Sequence, residues 1–234
     1  MTSVRNPGRY AGLLYILTSI FGVFAMAYVP SKIIVHGNAT ATVNNIAGHE
    51  TLFSLGVASE LVGQAGFIFV AVALYDLFKG VNKRLASLMV TLIVVSIPIA
   101  FVNELNSIAA LILARGTGAV SAFEKPQRDA LAMLFVNLHG SGFDVAGIFW
   151  GLWLLPLALL VYRSRFLPRF LGVWLALAGF AWVIISLTGV MLPQCQDKVS
   201  SISQPAVAGE IAFMLWLAIK GAKPPALDAK LPVG

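Results

Sequence analysis

Between Leu85 and Ala114 the chain runs for thirty residues with a single ionisable side chain, Glu104. A helix crosses the hydrocarbon of a bilayer with about 20 apolar residues, so this run is long enough to span one. Five comparable stretches accompany it, giving apolar segments at roughly residues 10–29, 51–78, 85–114, 129–162, 170–192 and 202–220. Composition agrees: 59% of the 234 residues are hydrophobic and 11% are charged, where soluble domains carry about 25% charged residues. Mean hydropathy is +0.87. A membrane β-barrel would need segments of about 10 residues alternating apolar and polar, and none is visible. A helix, in contrast, satisfies its own backbone groups where lipid cannot. The expectation is an all-α polytopic membrane protein, a single bundle of six transmembrane helices with 221–234 as a short tail. Pro98 and Pro156 fall inside two segments and are expected to bend them locally.

Orientation follows from the loops. Arg5, Arg9, Lys79, Lys83, Arg84, Arg163, Arg165, Arg169, Lys220, Lys223 and Lys230 flank one side, 11 of the 16 basic residues. Lys32, Arg115, Lys125, Arg128 and Lys198, the other 5, flank the opposite side. The positive-inside rule puts the richer side, with both termini, in the cytoplasm. The net charge of +6 is therefore a topology signal and a headgroup contact, which argues against nucleic acid as a partner. "RNPGRYAGLLYILTSIFGVFAMA" also has the outline of a signal peptide, but its apolar run is long for one, and a retained first helix is expected. Cys195 is the single cysteine, which leaves no intrachain disulfide. Asn38-Ala39-Thr40 fits a glycosylation acceptor, a triplet too common to carry weight.

Several stretches resemble one family. "ALYDLFKGVNKRLASLMV", "SIPIAFVNELNSIAALIL", "FWGLWLLPLALLVYRSRFLPRFLGV" and "GEIAFMLWLAIKG" are together similar to an uncharacterised bacterial family of multi-pass membrane proteins, domain of unknown function 4386. The likeness runs from about Arg9 to Gly221 and is strongest at Phe149 to Pro156, Ser164 with Leu167 and Pro168, Gly172, Gly209 with Glu210, and Trp216 with Leu217. It implies six helices in a bacterial inner membrane. It implies no reaction, substrate or catalytic residue.

Ionisable groups inside spans are costly, about 2.5 to 3.5 kcal/mol each on insertion scales. Here they are Glu60, Glu104, His139, Asp144 and Glu210. At about 1.5 Å per residue, Glu60, Glu104 and His139 each fall roughly 14 to 15 Å from the outer ends of their segments. Asp144 is expected deeper and Glu210 shallower. Gln64 shares a helix face with Glu60. Asn103, Asn106 and Ser107 form one polar stripe, and Asn137, Ser141 and Asp144 another. Stripes that lipid cannot satisfy should face each other, so the second, third, fourth and sixth segments are expected to enclose an outward-facing polar cavity.

The candidate ligand-binding set is Glu60, Gln64, Asn103, Glu104, Asn106, His139, Asp144 and Glu210. Its first reading is the binding or passage of a small polar or cationic solute or ion, with no cofactor. A second reading is a metal-dependent membrane enzyme holding zinc, iron or manganese through Glu60, Glu104, His139 and Glu210. Against that, His139 and Asp144 lie about 140° apart around a helix, and neither H-E-x-x-H nor a His pair occurs. A third reading has the polar residues only packing helices, at about 0.6 kcal/mol per interhelical hydrogen bond. Asp76 with Lys79 reads as a surface ion pair. Gly147-x-x-x-Gly151, Ser59-x-x-x-Gly63 and Gly172-x-x-x-Ala176 allow close helix approach, chiefly within the chain, with a homo-oligomer contact as the alternative.

Overall fold

The computed structural model describes residues 6–224. Arg5, Lys230 and most of the expected tail lie outside them. The helices are α1 (Pro7–Ile33), α2 (Ala39–Gly48), α3 (Glu50–Phe78), α4 (Lys83–Arg115), α5 (Lys125–Arg163), α6 (Arg169–Met191) and α7 (Gln196–Ile219). All but α2 are long and apolar enough to cross a membrane, and no strand occurs among the described residues.

Local chemistry sets the ends. Asn6 caps α1 and Asn82 caps α4, each accepting from a backbone N–H three residues on, at 3.1 and 3.0 Å. Such side chains replace partners that the first turn lacks. Glu124 and Gln127 form a capping box at the start of α5. Gly116, with φ +65°, closes α4 in the left-handed conformation, where a glycine has no steric cost. Both Pro98 and Pro156 lie inside helices that continue through them. Near the middle of α1, Phe24–Tyr28 widens into a π turn.

The spans are arranged as a ring in which each packs on the next and α7 returns to α1. Short connections make consecutive helices antiparallel neighbours. Closure between α7 and α1 is specific. Gly8 donates to the carbonyl of Ala222 at 3.0 Å, Ala222 donates to Asn6 Oδ1 at 3.2 Å, and Arg9 Nη2 donates to the carbonyl of Ile219 at 3.0 Å. A Cβ on Gly8 would meet Ala222, and one on Gly12 would meet the backbone of Leu217 and Ala218. Glycines on α5 do the same work against α6, with Gly147 facing Ser186 and Gly151 facing Gly179 and Val183. Gly172 on α6 meets Ala158 and Tyr162, and Gly63 meets Phe21. These small-residue faces meet neighbouring helices of the same chain. The largest core cluster, including Leu74, Met89, Leu154, Leu171 and Phe213, fills the half of the ring nearest the chain termini.

Two elements depart from the expected layout. The stretch read as a loop before Glu50 contains α2, capped by Asn38 through a 2.9 Å bond from the N–H of Ala41; this is the role of the residue that heads the glycosylation-like triplet. Thr42, Val43 and Ile46 of α2 are buried against the bundle. In addition, α7 begins at Gln196, ahead of the expected 202, because two polar turns, "QDKVSSIS", precede its apolar part. Exposed Asp76 and Lys79 pair at 2.6 Å. That hydrogen bond and charge hold the Lys79 ammonium above its ordinary pKa.

Ring closure by glycine predicts that Gly12→Ala destabilises the bundle by about 1 to 3 kcal/mol, the usual cost of overpacking. Gly80→Ala, where an added Cβ meets nothing within 4 Å, should leave the thermal midpoint in detergent unchanged. Equal midpoints for both variants would refute the close α1–α7 approach.

Candidate functional site

Three of the acids in the spans, Glu60, Glu104 and Glu210, border two cavities. The first, of about 260 Å³, lies between α1, α2, α3, α4 and α5. On its acidic side stand Glu60 of α3, Glu104 of α4 and His139 of α5. Four residues separate Glu60 from Gln64, one helical turn, and Gln64 Nε2 donates to Glu60 Oε1 at 2.9 Å. The other oxygen, Oε2, is buried without a hydrogen-bond partner among the described residues, although the whole residue is only 4% exposed. Glu104, 3% exposed, shares a 2.7 Å hydrogen bond with His139 Nε2. A contact of that length between imidazole and carboxylate is the charge-assisted kind when the ring is protonated.

Asn103 does the bracing. Its Nδ2 donates to the backbone carbonyl of His139 at 2.9 Å, while Oδ1 accepts from Asn106 Nδ2 at 3.1 Å. The side chain lies where a Cβ on Gly142 would fall, so a glycine on α5 admits the asparagine of α4. This fixes the height of His139 against Glu104. The rest of the cavity is more apolar than the sequence suggested. Its opposite wall is α1, with Val29 and Ile33, roofed by Thr42 and Ile46 of α2. Every α1 residue that borders it is apolar.

Glu210 is elsewhere. Starting α7 at Gln196 places Glu210 fourteen residues in, about 21 Å along the helix, deeper rather than shallower than Glu60. Tyr15 of α1 donates its hydroxyl to one carboxylate oxygen and Trp182 Nε1 donates to the other at 3.3 Å. These residues border a second cavity of about 180 Å³, together with Glu60 and Gln64. Glu60 and Met26 border both cavities. Neither Tyr15 nor Trp182 was singled out as an acid's partner by the sequence; the only trace was the need of Glu210 for donors on neighbouring helices.

Asp144 joins neither cavity. It accepts from Gln196 Nε2 at 2.6 Å and sits against Gly189, at the end of α6 and α7 remote from the termini. Asn137 and Ser141, expected on the same inward stripe, are exposed. The reason is length: α5 has 39 residues and α6 has 23, so the first half of α5 lies beyond the cover of α6. The single core enclosed by α3, α4, α5 and α7 is therefore replaced by two cavities, with α1 lining both. Among the described residues no three His, Cys, Asp or Glu side chains converge to hold a metal ion. Glu210, which the metal reading joined to Glu60, Glu104 and His139, is held by Tyr15 and Trp182 instead.

A ring of six apolar spans defines an integral, multi-pass membrane protein. Residues 10–221 match the family described as Domain of unknown function (DUF4386), and the chain belongs to it. An uncharacterized protein of the archaeon Archaeoglobus fulgidus is 30% identical over 156 residues, 67% of this chain and 77% of that protein. The similarity is thus not confined to bacteria. No solved structure matches.

The bracing predicts a coupled pair. Asn103→Ala alone and Gly142→Ala alone should each lower stability by about 1 kcal/mol or more, the cost of a lost buried hydrogen bond. The double variant should lose less than their sum, since the new methyl at 142 fills space that Asn103 leaves. Thermal midpoints of the four proteins complete the cycle, and strict additivity would show that the two positions do not meet.

Proposed function

We propose that this protein binds or passes a small polar or cationic solute or ion, taken up by the first cavity from the outer face of the cytoplasmic membrane. The orientation rests on the basic side chains Arg9, Lys79, Lys83, Arg84, Arg163, Arg165, Arg169, Lys220 and Lys223, which flank the ends of the spans on the side of the termini. Positive side chains retained there mark the cytoplasmic side. The cavity and α2 lie toward the opposite end.

The observation that carries the reading is the free oxygen of Glu60. A buried polar atom without a partner costs about 1 to 3 kcal/mol, and an acid facing apolar surroundings is costlier still. A residue that only packed helices would be expected to have both oxygens satisfied, as Glu210 does. In the same cavity the Glu104–His139 pair supplies a second place where positive charge or a proton can rest. An ionisable group within a span is a marker of ion and solute paths. A solute bearing positive charge would complete Glu60 and gain its electrostatic field in a dry setting.

Two measurements test this. Ser107 borders the cavity; in a Cys195→Ser background, Ser107→Cys should react with a membrane-impermeant thiol reagent added outside intact cells. Ser121→Cys, on an exposed turn, serves as the positive control, and its labelling with Ser107→Cys silent would show that the cavity is closed to the outside. Second, sodium, potassium, magnesium or calcium chloride should raise the thermal midpoint of purified protein saturably. Stabilisation reaches about 2.7 kcal/mol at a hundred times the dissociation constant, and Glu60→Gln should lose most of it. If none of these salts acts, the ionic branch of the reading fails.

A further inference from the structure

The second cavity has a wall chemistry of its own. Tyr15, Phe67, Trp150, Trp153 and Trp182 border it; Tyr15 and Trp153 are tilted at 50°, and their other ring pairs stand at steep angles. Tyr15 and Phe67 lie 5.2 Å apart at 76°, Phe67 and Trp153 lie 5.6 Å apart at 77°, and Trp150 and Trp182 lie 5.8 Å apart at 88°. Stacked rings cover each other's faces. In an edge-to-face pair the ring that offers its edge keeps both faces free. Such an arrangement walls a box rather than filling it, and aromatic faces are electron-rich.

Two carboxylates border the same box, Glu60 and Glu210, and among the described residues no basic side chain does. Glu210 has both oxygens occupied by Tyr15 and Trp182, leaving the partnerless Glu60 Oε2. In this box, which the Glu104–His139 pair does not border, one free carboxylate oxygen is poor coordination for a bare metal cation, which takes about six to eight oxygen ligands in the calcium case. Aromatic faces with a nearby acid suit a cation whose own surface is apolar. A neutral apolar solute would leave Glu60 unpaired, and an anion would be repelled.

We propose that the second cavity binds a small organic ammonium ion, its alkyl groups against the aromatic rings and its charge toward Glu60. The assignment names a solute class for the reading above and rests on it for the route: Glu60 and Met26 border both cavities, so a cation drawn in at the first is handed to the second at a shared wall. Cation–aromatic contacts gain most where water is excluded.

The test is equilibrium binding of radiolabelled choline to the purified full chain in lipid nanodiscs, with folding verified by circular dichroism and a single elution peak. Choline should bind saturably. Unlabelled choline should displace it about tenfold better than the uncharged isostere carrying carbon in place of nitrogen, the margin expected of a desolvated cation–aromatic contact. The Trp150 side chain makes no hydrogen bond among the described residues, so Trp150→Leu should weaken binding severalfold without unfolding the protein, while Trp150→Phe, which keeps an aromatic face, should retain it. Glu60→Gln should weaken it about tenfold. Absence of saturable choline binding by folded protein, or equal displacement by choline and its isostere, overturns the proposal. If choline fails while the inorganic salts still shift the midpoint and Ser107→Cys is labelled, only the ammonium assignment falls. If choline binds while Ser107→Cys is silent, the box stands and the outer route falls.

Discussion

The hydrogen bond between Glu104 and His139 organises the middle of this bundle. Each group sits on a helix too apolar to solvate it, and lipid offers no partner, so the two are driven together across the α4–α5 interface. That contact sets the register of two long helices, and Asn103 reinforces it by reaching the backbone of His139 through the gap left by Gly142. α3 brings Glu60 to the same cavity beside Glu104 and His139. The first cavity is what remains between these three acidic or basic side chains and an apolar α1 that cannot close upon them.

Glycine plays the complementary part. Where acids hold helices apart around a cavity, Gly8, Gly12, Gly147, Gly151 and Gly172 let backbones approach on the far sides of the ring. Close approach compensates for the absent hydrophobic drive between helices in lipid. The bundle is thus tight at α5–α6, at α7–α1 and, through Gly56, Gly63 and Gly66, at α1–α3, and open between α1 and α4–α5. The second cavity sits where tight and open meet, floored by aromatic rings too large to interdigitate. Glu60 stands at the junction, which explains how one side chain can border two cavities of different chemistry.

Much of this could be read along the chain. Apolar run length identified the six spans, because spanning is a property of each segment by itself. That Glu60, Glu104 and His139 would come to one space was also suggested along the chain, and they do border one cavity, although α5 starts four residues before the expected Asp129. Glu210 was misplaced because its helix starts in polar sequence, "QDKVSSIS", that hydropathy assigns to a loop. The cap helix α2 was missed although its signals were present, Asn38 as an N-cap and Val43 and Ile46 at helical spacing. Ten residues carry too little pattern to stand out beside runs of thirty.

The sequence by itself determined the class, the spans and the residues that cannot be left to lipid, because those follow from the free energy of transferring each group out of water. Tertiary structure alone decided the partners. That Glu104 meets His139 while Glu210 meets Tyr15 and Trp182, that Asp144 turns to Gln196, and that Glu60 keeps one oxygen free all depend on the rotation of each helix about its axis and on unequal helix lengths. Neither is encoded in any single segment; both emerge when the ring closes.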